Sequence, residues 1–248
     1  MLWQERTKLL IGEDELAILK NTHVLVVGLG GVGAYAAENL CRAGIGEMTI
    51  VDADSVEITN LNRQLLALHS SLEKSKVEVM AQRLSDINPD IALHVVHDFI
   101  RDEKTPELLQ RANYDYVVDA IDSLSPKVYL IYYAMQLGLK LVSAMGAGGK
   151  MDPSLIKVAD IKKTYQCRLA HALRKRLHHL GIDRGFKAVF SPEPVPESAI
   201  KIDSQPDVNK LSTVGTISYM PAIFGCFVAS VVIRDLIENN RKTKNVPY

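Results

Sequence analysis

The segment Gly28-Leu-Gly-Gly-Val-Gly33 constrains this chain more than any other stretch of it. It follows His23-Val-Leu-Val-Val27, a short apolar, β-branched run of the kind buried on both faces in a parallel sheet. Beyond it Val32, Ala36, Leu40 and Ala43 recur at helical spacing. A strand, a glycine turn and a helix in that order bring backbone N–H groups at a helix start close to whatever lies above the strand, which attracts phosphate. Gly28, Gly30, Gly31 and Gly33 are therefore candidate nucleotide contacts. Asp52 follows 19 residues after Gly33, at the end of the strand Glu47–Asp52, where a carboxylate can bind ribose hydroxyls. NAD and ATP offer the same ribose and phosphates, so the loop alone does not choose between them.

Further strands are expected at Ile91–Val96, Tyr114–Asp119 and Leu139–Ala144. Helices are expected at Leu72–Ile87, Pro106–Ala112 and Pro126–Leu137, the last opened by Ser125 and Pro126. That rhythm predicts an α/β chain, a Rossmann-like doubly wound and mainly parallel sheet, with an irregular C-terminal extension. In the extension Leu155–Ile161 and Ala188–Phe190 read as strands flanking a helix at Cys167–Leu180. Ser191–Lys210, rich in proline, reads as a mobile crossover loop. Residues 211–238 read as a buried helical region, and residues 1–248 as a single nucleotide-binding domain.

Lys+Arg 29 against Asp+Glu 29 excludes a uniformly basic or acidic coat, so any charged surface is local. Cys41, Cys167 and Cys226 are too few and too scattered for a disulfide framework, and MLWQERTKLL contains no apolar signal region. Both features point to the cytoplasm. Leu211–Ile233 carries no charge and is just long enough to span a bilayer. Its hydroxyl residues, Pro221 and Gly225 favour a core helix running on into RDLIENNRK over membrane contact.

The segment after Asp52 departs from a dehydrogenase pattern. It places Asp54, Asn60, Arg63 and Gln64 close behind the phosphate loop, with Lys76 just beyond. Two separated cations and several amides suit a triphosphate, whose charge must be neutralised along its length. Val117–Ser123 then brings Asp119 and Asp122 to the carboxyl edge of a strand, where a carboxylate can hold Mg²⁺ on the phosphates.

GLGGVG, VDADSVEITNLNRQ, Lys76 and VVDAID in this order resemble the ThiF/MoeB/HesA superfamily, the adenylating fold shared with ubiquitin-activating enzymes. The resemblance implies that Gly30, Asp52, Asn60, Arg63, Gln64, Lys76 and Asp122 line an ATP site. It puts Arg63 and Lys76 on phosphates and Asp122 at Mg²⁺ and the α-phosphate. It further implies a homodimer in which Arg6 reaches a neighbouring subunit's ATP. Members that adenylate ubiquitin-like sulfur carriers usually hold zinc on two CxxC pairs, which this sequence does not contain. Gly146–Thr164, Leu173–Leu177 and Val189–Glu193 instead look like the branch that dehydrates threonylcarbamoyladenosine in tRNA.

Charge patterning bears on that branch separately. Between Lys162 and Lys187 eight Lys/Arg face only Asp183. On the Cys167–Leu180 helix Leu169, Leu173, Leu177 and Leu180 share an inward face, and Arg168, His171, Lys175 and His178 share another. Arg168, Arg174, Lys175 and Arg176 are the candidate tRNA contacts, set against a merely solvated helix face. In the dehydratase reading the threonyl carboxylate attacks the α-phosphate of ATP, and a neighbouring group then closes on the activated carbonyl, so no catalytic cysteine is required. Adenylation of a ubiquitin-like protein's C-terminal glycine stays open as an alternative. So does a non-catalytic nucleotide-binding scaffold for a sulfur-transfer protein. A nicotinamide oxidoreductase leaves Arg63, Lys76 and Asp122 without a joint purpose.

Overall fold

The structure, a computed structural model, describes residues 2–207 and 210–244. Its centre is a seven-stranded sheet of β1 (His23–Val27), β2 (Glu47–Val51), β3 (Ala92–Val96), β4 (Tyr116–Asp119), β5 (Leu141–Ala144), β6 (Lys157–Asp160) and β7 (Lys187–Phe190). The order is β3-β2-β1-β4-β5-β7-β6, parallel throughout except for β6, which runs antiparallel beside β7. This is the doubly wound arrangement expected from the sequence. The chain reverses its direction of travel across the sheet between β1 and β4, and the crevice at the carboxyl ends of those two strands is where such sheets take ligands.

β1 is apolar along its whole length because both of its faces are covered. Val24 and Val26 pack with α3 (Gly33–Ala43), α4 (Lys76–Ile87) and α8 (Tyr219–Lys244), whereas Leu25 and Val27 pack with α5 (Lys104–Gln110), α6 (Leu124–Gln136) and α7 (Arg168–His179). Two short helices, α1 (Glu5–Ile11) and α2 (Glu13–Lys20), precede the sheet. α8 lies tightly along α3. A Cβ added at Gly225 would stand 2.6 Å from the Val32 carbonyl oxygen and 2.7 Å from the Tyr35 Cβ, so only glycine lets the helices come this close. Near its end, Asp235 accepts from the Tyr116 hydroxyl at 2.8 Å and pairs with Lys187. Burial and the adjacent carboxylate push the Tyr116 phenol well above its usual range.

Several expected boundaries shift for local reasons. α4 starts at Lys76 rather than Leu72, because the Glu73 N–H and the Lys74 carbonyl both bond the backbone of Val56. Ser123 rather than Ser125 precedes α6, and Pro126 falls in its first turn, where an N–H has no helical acceptor to lose. Pro153–Leu155 is a single 3₁₀ turn, so β6 begins only at Lys157.

The C-terminal extension departs further. Within Ser191–Lys210 the chain forms β8 (Ile200–Asp207), paired antiparallel with β9 (Lys210–Val214). Residues 208 and 209 of the expected loop lie outside the described residues. The uncharged run is therefore strand at its start and helix only from Tyr219. Tyr219–Glu238 is long and apolar enough to cross a membrane by length and composition. Here Met220, Phe224, Val228, Val231 and Val232 are buried in the core.

Candidate functional site

Gly28 leaves β1 with a φ of 92°, a conformation that L side chains rarely adopt, and its carbonyl turns toward the start of α3. A Cβ at Gly33 would collide with that carbonyl oxygen at 1.7 Å, so the tight turn needs glycine at both ends. A Cβ at Gly30 would meet only the Gln64 Nε2, at 3.8 Å, which leaves the space above the loop open. Gly31 faces the other way, against Pro221 of α8 and the Arg63 carbonyl. The loop also touches the end of β4, since a Cβ at Gly28 would come within 2.8 Å of the Ala120 carbonyl oxygen.

Asp52 fastens this turn. Its Oδ2 accepts the Leu29 N–H at 2.6 Å and its Oδ1 the Asp54 N–H at 2.8 Å. Burial pushes its carboxyl above the usual range, against the pull of Lys76 and both N–H groups. The sequence suggested a carboxylate aimed at ribose; the structure adds a clamp on the loop, and the remaining lone pairs are what a ribose can use. Lys76 is buried at the start of α4, and its Nζ pairs with Asp54 at 2.8 Å. An ammonium has three donors, so this pairing leaves capacity for phosphate oxygens.

Arg63 donates from Nη1 to the Thr59 carbonyl at 2.8 Å and to the Asn62 side-chain oxygen at 2.9 Å, which orients a half-exposed guanidinium with other donors to spare. Asn60 is buried and caps its own turn, accepting the Glu57 N–H at 3.3 Å. Asn62 reaches across to the Thr216 carbonyl at 2.9 Å and ties the extension to this rim.

The two aspartates after β4 part company. Asp122 is exposed at the rim. Asp119 is wholly buried: its Oδ2 pairs with Lys127 Nζ at 2.8 Å and accepts from Ser143 Oγ at 2.6 Å, while Oδ1 accepts the Ile121 N–H at 3.1 Å. Lys127 also donates to the Ile121 carbonyl at 2.9 Å. Asp119 and Lys127 thus pin the turn that presents Asp122, and Asp119 has no free face for an ion. Sequence reasoning missed Lys127. The signal was there: it is the one charge in Leu124–Leu139, otherwise an apolar helix with a few polar neighbours.

Two motifs quoted far apart in the sequence meet in space. The Glu193 carboxylate accepts the N–H groups of Met151 and Asp152 at 2.9–3.0 Å, and buried Lys150 donates to the Glu193 carbonyl. Burial lowers the Lys150 ammonium from its ordinary range, with Cys167 and Glu193 opposing. Beside them a cleft of about 470 Å³ opens between the start of α7 and Pro194-Val195, lined also by Gln166, Cys167, Arg168, His171 and Arg174. Of the basic residues on α7, Arg168, Lys175 and Arg176 are exposed. Arg174 is drawn inward, donating to the Thr164 carbonyl at 2.8 Å and to its hydroxyl. Ala170, Leu173 and Leu177 form the buried face, with Leu169 and Leu180 at its margins. Arg6 is exposed on α1, near exposed Leu2, Leu9 and Leu10.

A model of the family described as ThiF matches residues 4–247. The chain belongs to the ThiF family. Within it, the chain is 37% identical over 237 residues to the tRNA threonylcarbamoyladenosine dehydratase of Haemophilus influenzae, covering 91% of this chain and 89% of that one. It is 43% identical over 201 residues to the enzyme of the same name from Escherichia coli K12, covering 77% and 75%. A crystal structure of E. coli tRNA N6-threonylcarbamoyladenosine dehydratase in complex with ATP superposes with a TM-score of 0.88, at 36% identity and 97% coverage of both chains. The ThiF-family fold thus extends through the C-terminal hairpin and helix, beyond the glycine-loop half.

Proposed function

We propose that this chain is an ATP-dependent adenylating enzyme that dehydrates N6-threonylcarbamoyladenosine in tRNA. What supports this reading most is likeness over the full length, at 36% identity, to a dehydratase crystallised with ATP. The crevice here has the features that ATP needs: an open space over Gly30, buried Lys76 and oriented Arg63. Gly28, Gly30, Gly31, Gly33, Asp52, Asp54, Asn60, Arg63, Gln64, Lys76 and Asp122 form the proposed nucleotide site.

Hydroxide is a poor leaving group from a carboxylate. In the first step the threonyl carboxylate attacks the α-phosphorus of ATP and pyrophosphate leaves, giving an acyl-adenylate. In the second, a nucleophile of the same modification closes on the activated carbonyl and AMP leaves with the former carboxylate oxygen. Because that attack is intramolecular, positioning replaces a protein nucleophile. Arg63 and Lys76 neutralise charge that builds on the phosphates, as preorganised donors in a partly dry site do. The exposed carboxylate of Asp122 beside the glycine loop fits Mg²⁺, an ion that takes one or two carboxylates together with phosphate oxygens. Bound there, Mg²⁺ supplies further charge neutralisation.

The proposed tRNA surface is the outer side of α7, with Arg168, Lys175 and Arg176, while Arg174 serves through Thr164. A homodimer would cover Leu2, Leu9 and Leu10, which are 92%, 84% and 83% exposed, and would let Arg6 act on the partner's ATP. The cytoplasm is the proposed compartment. The reading is tested by AMP release from ATP with modified tRNA, with tRNA lacking the modification, and with a ubiquitin-like protein. Stimulation by modified tRNA alone is expected. Stimulation by the protein alone would replace this reading with the ubiquitin-like alternative.

A further inference from the structure

At the amino-terminal edge of the sheet, opposite the crevice, three strands place a different set of ligands together. His23 opens β1 and lies in register with Glu47, which opens β2. His94 of β3 is in register with Thr49. Residues in register on parallel strands point to the same face, and so do residues two apart on one strand. His23, Glu47, Thr49 and His94 therefore share one face. Glu47 Oε1 lies 2.8 Å from His94 Nε2 and 3.4 Å from His23 Nδ1, and one ligand atom from each of the three residues lies within 4.8 Å of the other two.

We propose that His23, Glu47 and His94 bind a zinc ion. Two imidazoles and a carboxylate are a donor set that zinc accepts, whereas Mg²⁺ and Ca²⁺ prefer oxygen throughout. Zinc–ligand bonds of about 2.0–2.2 Å in a tetrahedron set ligand atoms about 3.3–3.5 Å apart. The Glu47–His23 separation of 3.4 Å already meets that spacing. The Glu47–His94 pair must open by roughly half an ångström to reach it, and the His94 side chain, 52% exposed on the edge strand, has room to do so.

The surroundings set His23 up as a ligand. Its Nε2 lies 2.8 Å from the buried Thr49 hydroxyl. With Nε2–H donating to that oxygen, Nδ1 carries the free lone pair toward Glu47, the outer-sphere arrangement that fixes a metal-binding histidine. Asp115 anchors the backbone by accepting the His23 N–H at 2.8 Å. Tyr114 walls the inner side, its ring 4.7 Å from that of His23, and its buried hydroxyl beside Thr49 makes no hydrogen bond of good geometry among the described residues. Three protein ligands leave a fourth position for water. β1 is five residues long, so the site stands about 15 Å from the glycine loop and takes no part in adenylation. Its effect is to stitch edge strand β3 to β2 and β1.

The test uses the full chain, stripped with a chelator, dialysed, loaded with Zn²⁺ alone and desalted. Metal content is read by atomic emission, and Co²⁺ in place of zinc reports coordination through its visible spectrum. Wild type is expected to retain one zinc per chain and to melt at higher temperature with it. His94→Ala and Glu47→Gln should lose that zinc while keeping the far-ultraviolet circular dichroism of wild type. Thr49→Val should weaken binding by about 10–100-fold through the lost orientation of His23. A wild type that retains no zinc, or a His94→Ala variant that binds it with wild-type affinity, overturns the proposal. Either result would leave Glu47 and His94 as a hydrogen-bonded surface pair and nothing more.

Discussion

Replacing Lys127 with methionine tests the claim that a buried ion pair holds the rim of the proposed ATP crevice. Lys127 and Asp119 are both fully buried, with Nζ and Oδ2 2.8 Å apart. Methionine keeps the apolar stem and removes the charge, so little cavity is created. What remains is an Asp119 carboxylate with the Ser143 hydroxyl and the Ile121 N–H as its partners among the described residues. Removing one member of a buried pair costs about 3–5 kcal/mol, because the surviving charge is uncompensated. At about 2–4 °C per kcal/mol for a chain of this size, Tm should fall by about 6–20 °C. Urea unfolding of Lys127→Met should show the same loss as a lower midpoint with an unchanged slope. Adding Asp119→Asn removes the orphaned charge, so the double variant should regain at least about 2 kcal/mol over the single one. A single variant within about 1 kcal/mol of wild type would put Lys127 among exposed pairs in worth and refute the reasoning. A double variant weaker than the single one would refute it equally.

Other expectations follow from the same geometry. Gly33→Ala drives a methyl group into the Gly28 carbonyl oxygen and should abolish ATP binding measured by calorimetry, where Gly138→Ala, which meets no atom and costs only about 1–2 kcal/mol of backbone strain at its φ of 68°, should leave it intact. Arg63→Ala should lower kcat for AMP release by about 10²–10³-fold, the usual loss for one preorganised donor, with the circular dichroism spectrum unchanged. Asp122→Ala should abolish AMP release with either macromolecular substrate; wild-type turnover in that variant would remove Asp122 from the site. Charge removal at Arg168, Lys175 and Arg176 together should flatten the salt dependence of tRNA affinity by a log–log slope of about 2–3, near 0.7–0.9 for each phosphate no longer neutralised. An unchanged slope in filter binding would mean that this face of α7 is only solvated.

The sequence declared the sheet and its crevice because each signal there is local. An apolar strand, a glycine turn and a helix are contiguous, and Asp52 follows at the distance one helix and one strand require. What stayed hidden depends on contacts between distant segments. Glu193 and the Lys150–Asp152 turn read as separate motifs until the fold joins them. Asp119 and Asp122 looked alike in VVDAIDS, and only burial beside Lys127 and Ser143 tells the anchor from the exposed rim. His23, Glu47 and His94 have no recognisable spacing, because parallel strands bring together residues with whole helices between them. The hairpin of β8 and β9 went unread for another reason. Pro192, Pro194 and Pro196 just before it, with Pro206 inside it, resemble a loop, and the absence of charge from Leu211 through to the helix hid Leu211–Val214 at the head of one long apolar run.

The central claim is the dehydration of a tRNA nucleoside through an acyl-adenylate. It is tested most directly by incubating the chain with ATP, Mg²⁺ and tRNA carrying threonylcarbamoyladenosine, then digesting the tRNA and weighing its nucleosides. The account predicts that the modified nucleoside loses one water while ATP is converted to AMP and pyrophosphate, both in step. A nucleoside of unchanged mass, with ATP bound but not consumed, would contradict it.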